Sequence, residues 1–340
     1  MLALPLAVLE LFSQALYYWK YGEPPWAAEV QERFNFRPFT RLVSDRRNMT
    51  MLSNADISFG SWNVLTDEHG FRISAGGRNS VKKGPSILFL GDSVPFGWGL
   101  DAEYSTPAQL ERLLAEAGRA QPILNAAIPS YSLHQAIERY LLEIAGRHPI
   151  EAIVLWSYDP VTQLALLGNQ WTPDINWTTQ SPAIARANEF QIEERSYSAA
   201  VAILRKFAAR LIEGTAILEH FDPADALTTV RFQSDISARL DSFHAVIKGQ
   251  GVRRLILLPL SAPRSSREGF SPARRAAVAL FNQTLAHFAR QHDDVHFIDV
   301  QALLDAHPED KVFLDQCCHL TEMGSALVAM ALKKDLLSEP

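Results

Sequence analysis

A serine hydroxyl becomes a useful nucleophile only when a base takes its proton and a carboxylate keeps that base oriented. The sequence offers these three residue types in two distant places. Gly91-Asp92-Ser93-Val94-Pro95-Phe96-Gly97-Trp98-Gly99 directly follows the apolar run Ile87–Leu90. Ligands of open parallel sheets gather at the carboxyl ends of strands, so Ser93 stands where a nucleophile belongs. Far downstream lies Asp315-Gln316-Cys317-Cys318-His319-Leu320-Thr321, between the last expected strand and the last expected helix. Of ten histidines, His319 is the one whose placement suits a base facing Ser93, and Asp315 is close enough to orient its ring. His134, His220, His244 and the others read as surface or satisfied core residues.

Competing chemistries fit less well. The Ser93 segment is not a Gly-x-Ser-x-Gly nucleophile elbow, because Pro95 occupies the fifth position. It is not a phosphate-cradling loop either, since no Gly-Lys-Ser/Thr follows. Cys317 and Cys318 are adjacent and lack chelating spacing, so buried packing or a vicinal disulfide accounts for them better than zinc. No metal or other cofactor is called for. Asp159-Pro160 suits a turn, yet its place after the third strand favours a site role. Arg264 and Arg267 read as a solvated loop. Trp98, Trp171 and Trp177 suit stacking on sugar rings or packing in a core.

These residues need a scaffold, and from Ser86 onward the pattern supplies one. Ile87–Leu90, Ile123–Asn125, Ala152–Trp156, Arg254–Leu258 and His296–Val300 are short, nearly continuous apolar runs, as expected for strands covered on both faces. Helical segments alternate with them, the signature of βαβ units around a parallel sheet. One helix starts at Thr106, which with Gln109 forms a Thr-x-x-Gln capping box around Pro107, and stops at Gly118. Others are expected over Leu133–Arg147, Ala273–Gln291 and Thr321–Leu337. Pro160–Gln250 is too long for a simple crossover and reads as an insertion beside the site, helical over Ser196–Ile212 and Phe232–Ile247. Gly22–Pro85 reads as an extended lead-in with short strands. The expected organisation is therefore 1–21, 22–85, and a main domain 86–340 carrying the insertion 160–250.

Composition narrows the partners. The 340 residues are 47% hydrophobic and 21% charged, which excludes wholesale disorder and low-complexity architectures. A net charge of −6 argues against a general nucleic-acid binder. Two cysteines cannot make a disulfide framework. Leu2–Trp19 is apolar apart from Glu10, Ser13 and Gln14 and ends in Tyr17-Tyr18-Trp19-Lys20. A membrane anchor, an amphipathic helix packed on the domain and a cleaved signal compete here; the terminal aromatics resemble an interfacial belt and favour the anchor.

Gly91-Asp92-Ser93, the Asn125 segment, Asp159 and the Asp315…His319 loop before a terminal helix resemble the SGNH (GDSL) hydrolase superfamily. Asp67-Glu68-His69-Gly70-Phe71-Arg72 is similar to the lead-in of its bacterial, often membrane-anchored members, which implies an extracytoplasmic domain. The resemblance implies an α/β fold: a flavodoxin-like three-layer sandwich with five parallel strands. It also implies Ser93 as nucleophile, His319 as base and then acid, and Asp315 as orienting carboxylate. Oxyanion and substrate contacts would fall to Ser130, Tyr158, Asp159 and Asn125. Three departures stand out: Ser130 replaces a glycine, Tyr158 replaces an oxyanion-donating asparagine, and Asp315 precedes His319 by four residues rather than three. The leading expectation is a serine esterase removing an acyl group, acetyl above all, from a carbohydrate or cell-envelope glycan. Acyl transfer onto a polysaccharide by the same residues, and a non-catalytic glycan-binding protein of the same fold, are the alternatives.

Overall fold

The computed structural model describes residues 10–16, 19, 37–47, 49–74, 84–157, 161, 164–165, 168, 200–201 and 221–338. The chain divides into two compact units: Met1–Phe36 with Ile175–Leu218, and Arg37–Asp174 with Glu219–Pro340. In the first, residues 10–16 are helical, the Gln14 amide donates to Glu10 (3.0 Å), and Glu10 accepts the Ala200 N–H (3.3 Å). Ser13 is buried while Leu11, Phe12, Leu16 and Trp19 are exposed.

The second unit is built on one sheet. Its lead-in supplies β1 (Thr40–Leu42), β2 (Met49–Met51), β3 (Asp56–Ser58), β4 (Asn63–Thr66) and β5 (Arg72–Ile73); its main part supplies β6 (Ser86–Gly91), β7 (Ile123–Asn125), β8 (Ile150–Trp156), β9 (Arg254–Leu258) and β10 (Val295–Phe297). β1 and β2 pair with each other, and the remaining strands form one sheet in the order β10-β9-β8-β6-β7-β5-β4-β3. The stretch β10 to β7 is parallel, with the order 2-1-3-4-5 counted from β6, so this is a mixed α/β fold with a mostly parallel central sheet. The five expected parallel strands are present, and three further strands bring the sheet to eight. β5, β4 and β3 extend the sheet antiparallel, joined to β7 through the single pair Arg72↔Asn125.

All six residues of β6 are buried, which explains the unbroken apolar run Ile87–Leu90 within it. Ile87 and Phe89 join a core cluster with Leu110, Leu114, Val328 and Leu332 from two helices on one face, α2 (Thr106–Glu116) and α9 (Glu322–Leu337), which pack on each other. Burying each such side chain is worth about 1.5–3 kcal/mol. The alternate residues Leu88 and Leu90 are equally buried and point the other way. That side carries α3 (Leu133–Arg139), extended by a π turn over Tyr140–Ile144, α4 (Ala226–Gly249) and α6 (Pro272–Arg290). The late part of the 160–250 connection is thus a core helix, with Phe232, Ile236, Leu240, Phe243 and Ile247 buried. Ser196–Ile212 lies almost wholly outside the described residues.

Two boundaries differ from expectation. The α2 cap is Ser105, not Thr106, and no capping box forms: the Gln109 amide donates instead to the Tyr104 and Glu322 carbonyls at 2.9 and 2.8 Å. The last strand ends at Phe297, because the Asp299 side chain accepts the Ala302 N–H (3.1 Å) and caps a helix, α7 (Val300–Asp305), that claims Val300.

Candidate active site

β6 ends at Gly91, whose φ of +147° and surroundings admit no side chain: a Cβ there would lie 1.8 Å from the Trp156 carbonyl oxygen. The chain turns, and Asp92 caps the short helix α1 (Ser93–Phe96) by accepting the Val94 N–H at 2.9 Å. Ser93 is therefore presented at the first position of a helix, at the carboxyl end of the strand where the sheet's winding reverses.

The partner arrives from the far end of the chain. After β10 the backbone passes through α7 and α8 (Glu309–Val312), then returns across the sheet as α9 to lie on α2. The residues just before α9 form a tight hairpin. Phe313 and Leu320 bridge, the Leu314 N–H donates to the His319 carbonyl (2.8 Å), and Thr321 caps the helix. Gln109, bonded to the Glu322 carbonyl, stitches the start of α9 to the start of α2. This return path carries His319 over Ser93.

The Ser93 Oγ and His319 Nε2 are 2.8 Å apart, and His319 Nδ1 lies 2.6 Å from Asp315 Oδ2. With Nδ1–H donating to the carboxylate, Nε2 is left to accept the Ser93 hydroxyl proton. The other carboxylate oxygen, Oδ1, accepts the backbone N–H groups of Cys317, Cys318 and His319 at 2.9, 3.1 and 3.3 Å. Burial pushes the Asp315 carboxyl up, but the hydrogen bond and charge of His319 and the cysteine N–H donors outweigh it and hold the group at about 2. The four-residue Asp–His spacing is accommodated by this ring of donors. Cys317 and Cys318 are joined by a vicinal disulfide. Among the described residues, no group of three or more His, Cys, Asp or Glu side chains is arranged to hold a metal ion.

The other expected site residues separate. Ser130 sits in the loop after β7, which is tied to the end of β6 by the Ile128 N–H donating to the Gly91 carbonyl (3.0 Å). Its φ of +64° is the left-handed conformation that glycine adopts freely. The backbone N–H groups of Ser93 and Ser130 find no acceptor among the described residues. The Asn125 side chain is engaged with the Ser93 turn. Its N–H groups donate to the Pro95 and Phe96 carbonyls (3.1 and 3.3 Å) and its oxygen accepts the Ala127 N–H (3.2 Å), so it braces that turn. Tyr158 and Asp159 lie outside the described residues, as do Trp171 and Trp177. Arg267, in the short helix α5 (Arg264–Glu268), is bound to Asp305 and to the Ala262 carbonyl. His134 contacts Arg239 Nη1 at 2.5 Å and His244 contacts Asp294 at 3.0 Å, away from Ser93 in the bonding pattern.

Arg72, the last residue of the 67–72 lead-in motif, has a structural part that the motif did not reveal. It is 5% exposed, and its guanidinium donates to the carbonyls of Phe96, Gly97, Asn63 and Leu100 while lying over the Phe96 ring, 4.4 Å from its centroid. Burial pulls its pKa down to about 9 against the opposing charges of Asp101 and Glu103. Arg72 thereby clamps the loop carrying Trp98, whose ring is centred 6.2 Å from the His319 ring and 5.0 Å from that of Trp62. A cation in a short strand flanked by Phe71 and Ile73 was the available signal. Arg139, wholly buried, works similarly: it donates to the Ala126 and Gly70 carbonyls (2.6 and 2.9 Å) and joins β7's loop to the lead-in.

With this geometry in hand, the match of residues 89–327 to the GDSL-like lipase/acylhydrolase family model covers both halves of the Ser93–His319 arrangement. The chain belongs to the GDSL-like lipase/acylhydrolase family. It is similar to the lipase/acylhydrolase from Enterococcus faecalis, at 13% identity over 74% of this chain and 95% of that one, with a TM-score of 0.44. It is also similar to an acetylxylan esterase from Geobacillus stearothermophilus (12% identity, 76% and 97% coverage, TM-score 0.45). A third similar structure is the acetyl xylan esterase AlAXEase (14%, 74% and 100%, 0.45). No curated protein matches the chain.

Proposed function

We propose that this GDSL-family protein is a serine ester hydrolase. Ser93 Oγ attacks the acyl carbonyl while His319 Nε2 takes its proton; the imidazolium returns that proton to the departing alcohol, leaving an acyl-serine. Water, deprotonated by the same nitrogen, then releases the acid and restores Ser93. Asp315 stays ionised throughout and steadies the imidazolium. The Ser93 and Ser130 backbone N–H groups, lacking other acceptors, are suited to receive the developing oxyanion. The single observation that carries this reading is the unbroken hydrogen-bonded chain from Ser93 through His319 to Asp315.

The substrate class is a carbohydrate or cell-envelope glycan ester bearing a small acyl group such as acetyl. Support comes from Trp98, half-buried beside His319 and backed by the buried Trp62, since a flat apolar ring stacks on a pyranose face. The exposed Leu11, Phe12, Leu16 and Trp19 support association of the N-terminal segment, residues 2–19, with a membrane, which would hold the protein near such glycans. Among the described residues no helix is long and apolar enough to cross a membrane.

The test is hydrolysis of p-nitrophenyl acetate by the full-length protein and by Ser93→Ala. We expect turnover by the first and a loss of at least about 10³-fold in the second, as nucleophile deletions in triad enzymes cost that much or more. Equal rates would remove Ser93 from the reaction.

A further inference from the structure

The tip of the 313–320 hairpin contains chemistry that ester hydrolysis does not use. Cys317 and Cys318 are disulfide-bonded neighbours, so their sulfurs and the peptide between them close a small ring. The N–H of that same peptide, on Cys318, is one of the three backbone donors to Asp315 Oδ1; the flanking N–H groups of Cys317 and His319 are the other two. The ring therefore fixes the group that fixes the carboxylate, and the carboxylate holds the His319 imidazole. The two residues differ in burial. Cys318 is 3% exposed and packed in the core cluster, whereas Cys317 is only partly buried and reaches the surface.

We propose that Cys317–Cys318 is a thiol–disulfide exchange site that takes a dithiol reductant, and that its redox state sets how firmly Asp315 orients His319. The inference rests on the reading of Ser93, His319 and Asp315 as an ester-hydrolysing centre. A thiolate of the reductant attacks the sulfur of Cys317, the less buried residue of the two, the S–S bond breaks, and Cys318 leaves with the electron pair and takes a proton. The reductant's second thiol, after losing its proton, attacks the reductant sulfur of the mixed disulfide. Cys317 departs as a thiolate and is protonated, and the reductant leaves as its own disulfide. Two electrons and two protons have passed to the cysteine pair. With the ring open, Cys317 and Cys318 regain backbone freedom and the three-donor cradle around Asp315 loosens. A misplacement of about 1 Å in a reacting group can cost on the order of 10²-fold, so kcat should fall by about 10-fold or more on reduction while KM changes little.

The experiment uses the full chain, purified without reductant, and follows three readouts before and after dithiothreitol. Iodoacetamide alkylation in denaturant counts free thiols by intact mass, hydrogen exchange follows the amides of Cys317, Cys318 and His319, and p-nitrophenyl acetate gives kcat and KM. Expected are no alkylation before reduction and two adducts after it, faster amide exchange, and a lower kcat that reoxidation restores. Cys317→Ser/Cys318→Ser should behave like the reduced protein and ignore the reductant. Two reactive thiols in the unreduced protein, or complete reduction with unchanged exchange and unchanged kcat, would overturn the proposal while leaving the hydrolase reading intact. Redox-dependent thiols and amide exchange in a protein with no Ser93-dependent turnover would instead overturn the hydrolase reading and the link to catalysis together.

Discussion

A carboxylate that accepts four hydrogen bonds from its own hairpin resists protonation, and Asp315 is in that position. Its folded pKa of about 2 lies below the ordinary aspartate value of 3.8. The stabilisation this implies is fully present above pH 4 and is lost as pH falls from there through about 2. Partial exposure limits it to the order of 1 kcal/mol. Asp315→Asn should therefore flatten the acid end of the stability curve, measured by urea unfolding between pH 2 and 5. The same substitution should cut kcat by about 10⁴-fold, since an amide favours the wrong imidazole tautomer. A variant as active as the parent protein would detach Asp315 from catalysis. Ser130 makes the opposite kind of case. Its left-handed backbone costs a non-glycine residue about 1–2 kcal/mol, partly offset because glycine has more unfolded-state freedom to lose. Ser130→Gly should raise unfolding free energy by about 0.5–1 kcal/mol and leave hydrolysis unchanged, because the backbone N–H is retained. At this scale Ser93, His319 and Asp315 were legible from residue type and place in the chain. The brace made by Asn125 was not, because the direction of an amide depends on tertiary register.

Among the elements, α9 does most to assemble the site. It is the helix that returns to α2 and sets the hairpin over Ser93, and Gly324 in its first turn allows the approach. A Cβ on Gly324 would lie 2.2 Å from the Val312 carbonyl oxygen, a backbone atom that cannot swing aside. Gly324→Ala should destabilise the protein by about 1–3 kcal/mol through this overpacking and lower kcat along with it, as the 313–320 hairpin is displaced. Thermal unfolding and p-nitrophenyl acetate turnover on one preparation check both effects; an unchanged Tm would mean the helix has room to shift. Most parallel strands could be read from their continuous apolar runs, because strands buried on both faces leave that trace. β3, β4 and β5 could only be expected in outline. They are two to four residues long, and β5 owes its place to one pair with β7 rather than to any pattern of its own. The shift at the last strand has a local cause, the Asp299 cap, that an apolar run does not reveal.

At the scale of the whole molecule, the Ser93–His319 contact closes a loop across a sequence separation of 226. The closure is achieved by strand order. β6 lies in the middle of the sheet, and the chain after edge strand β10 comes back over it through α7, α8 and α9. The antiparallel extension takes part as well, because Arg72 of β5 holds four carbonyls around the loop that follows Ser93. The lead-in, read from sequence as extended with short strands, does form such strands, and they wall one side of the site. The most direct measurement is labelling with a fluorophosphonate followed by peptide mass spectrometry, since only a serine made nucleophilic by a neighbouring base reacts readily. The account predicts one adduct, on the peptide containing Ser93, lost in His319→Ala. An unlabelled Ser93, or one labelled equally well without His319, would contradict it.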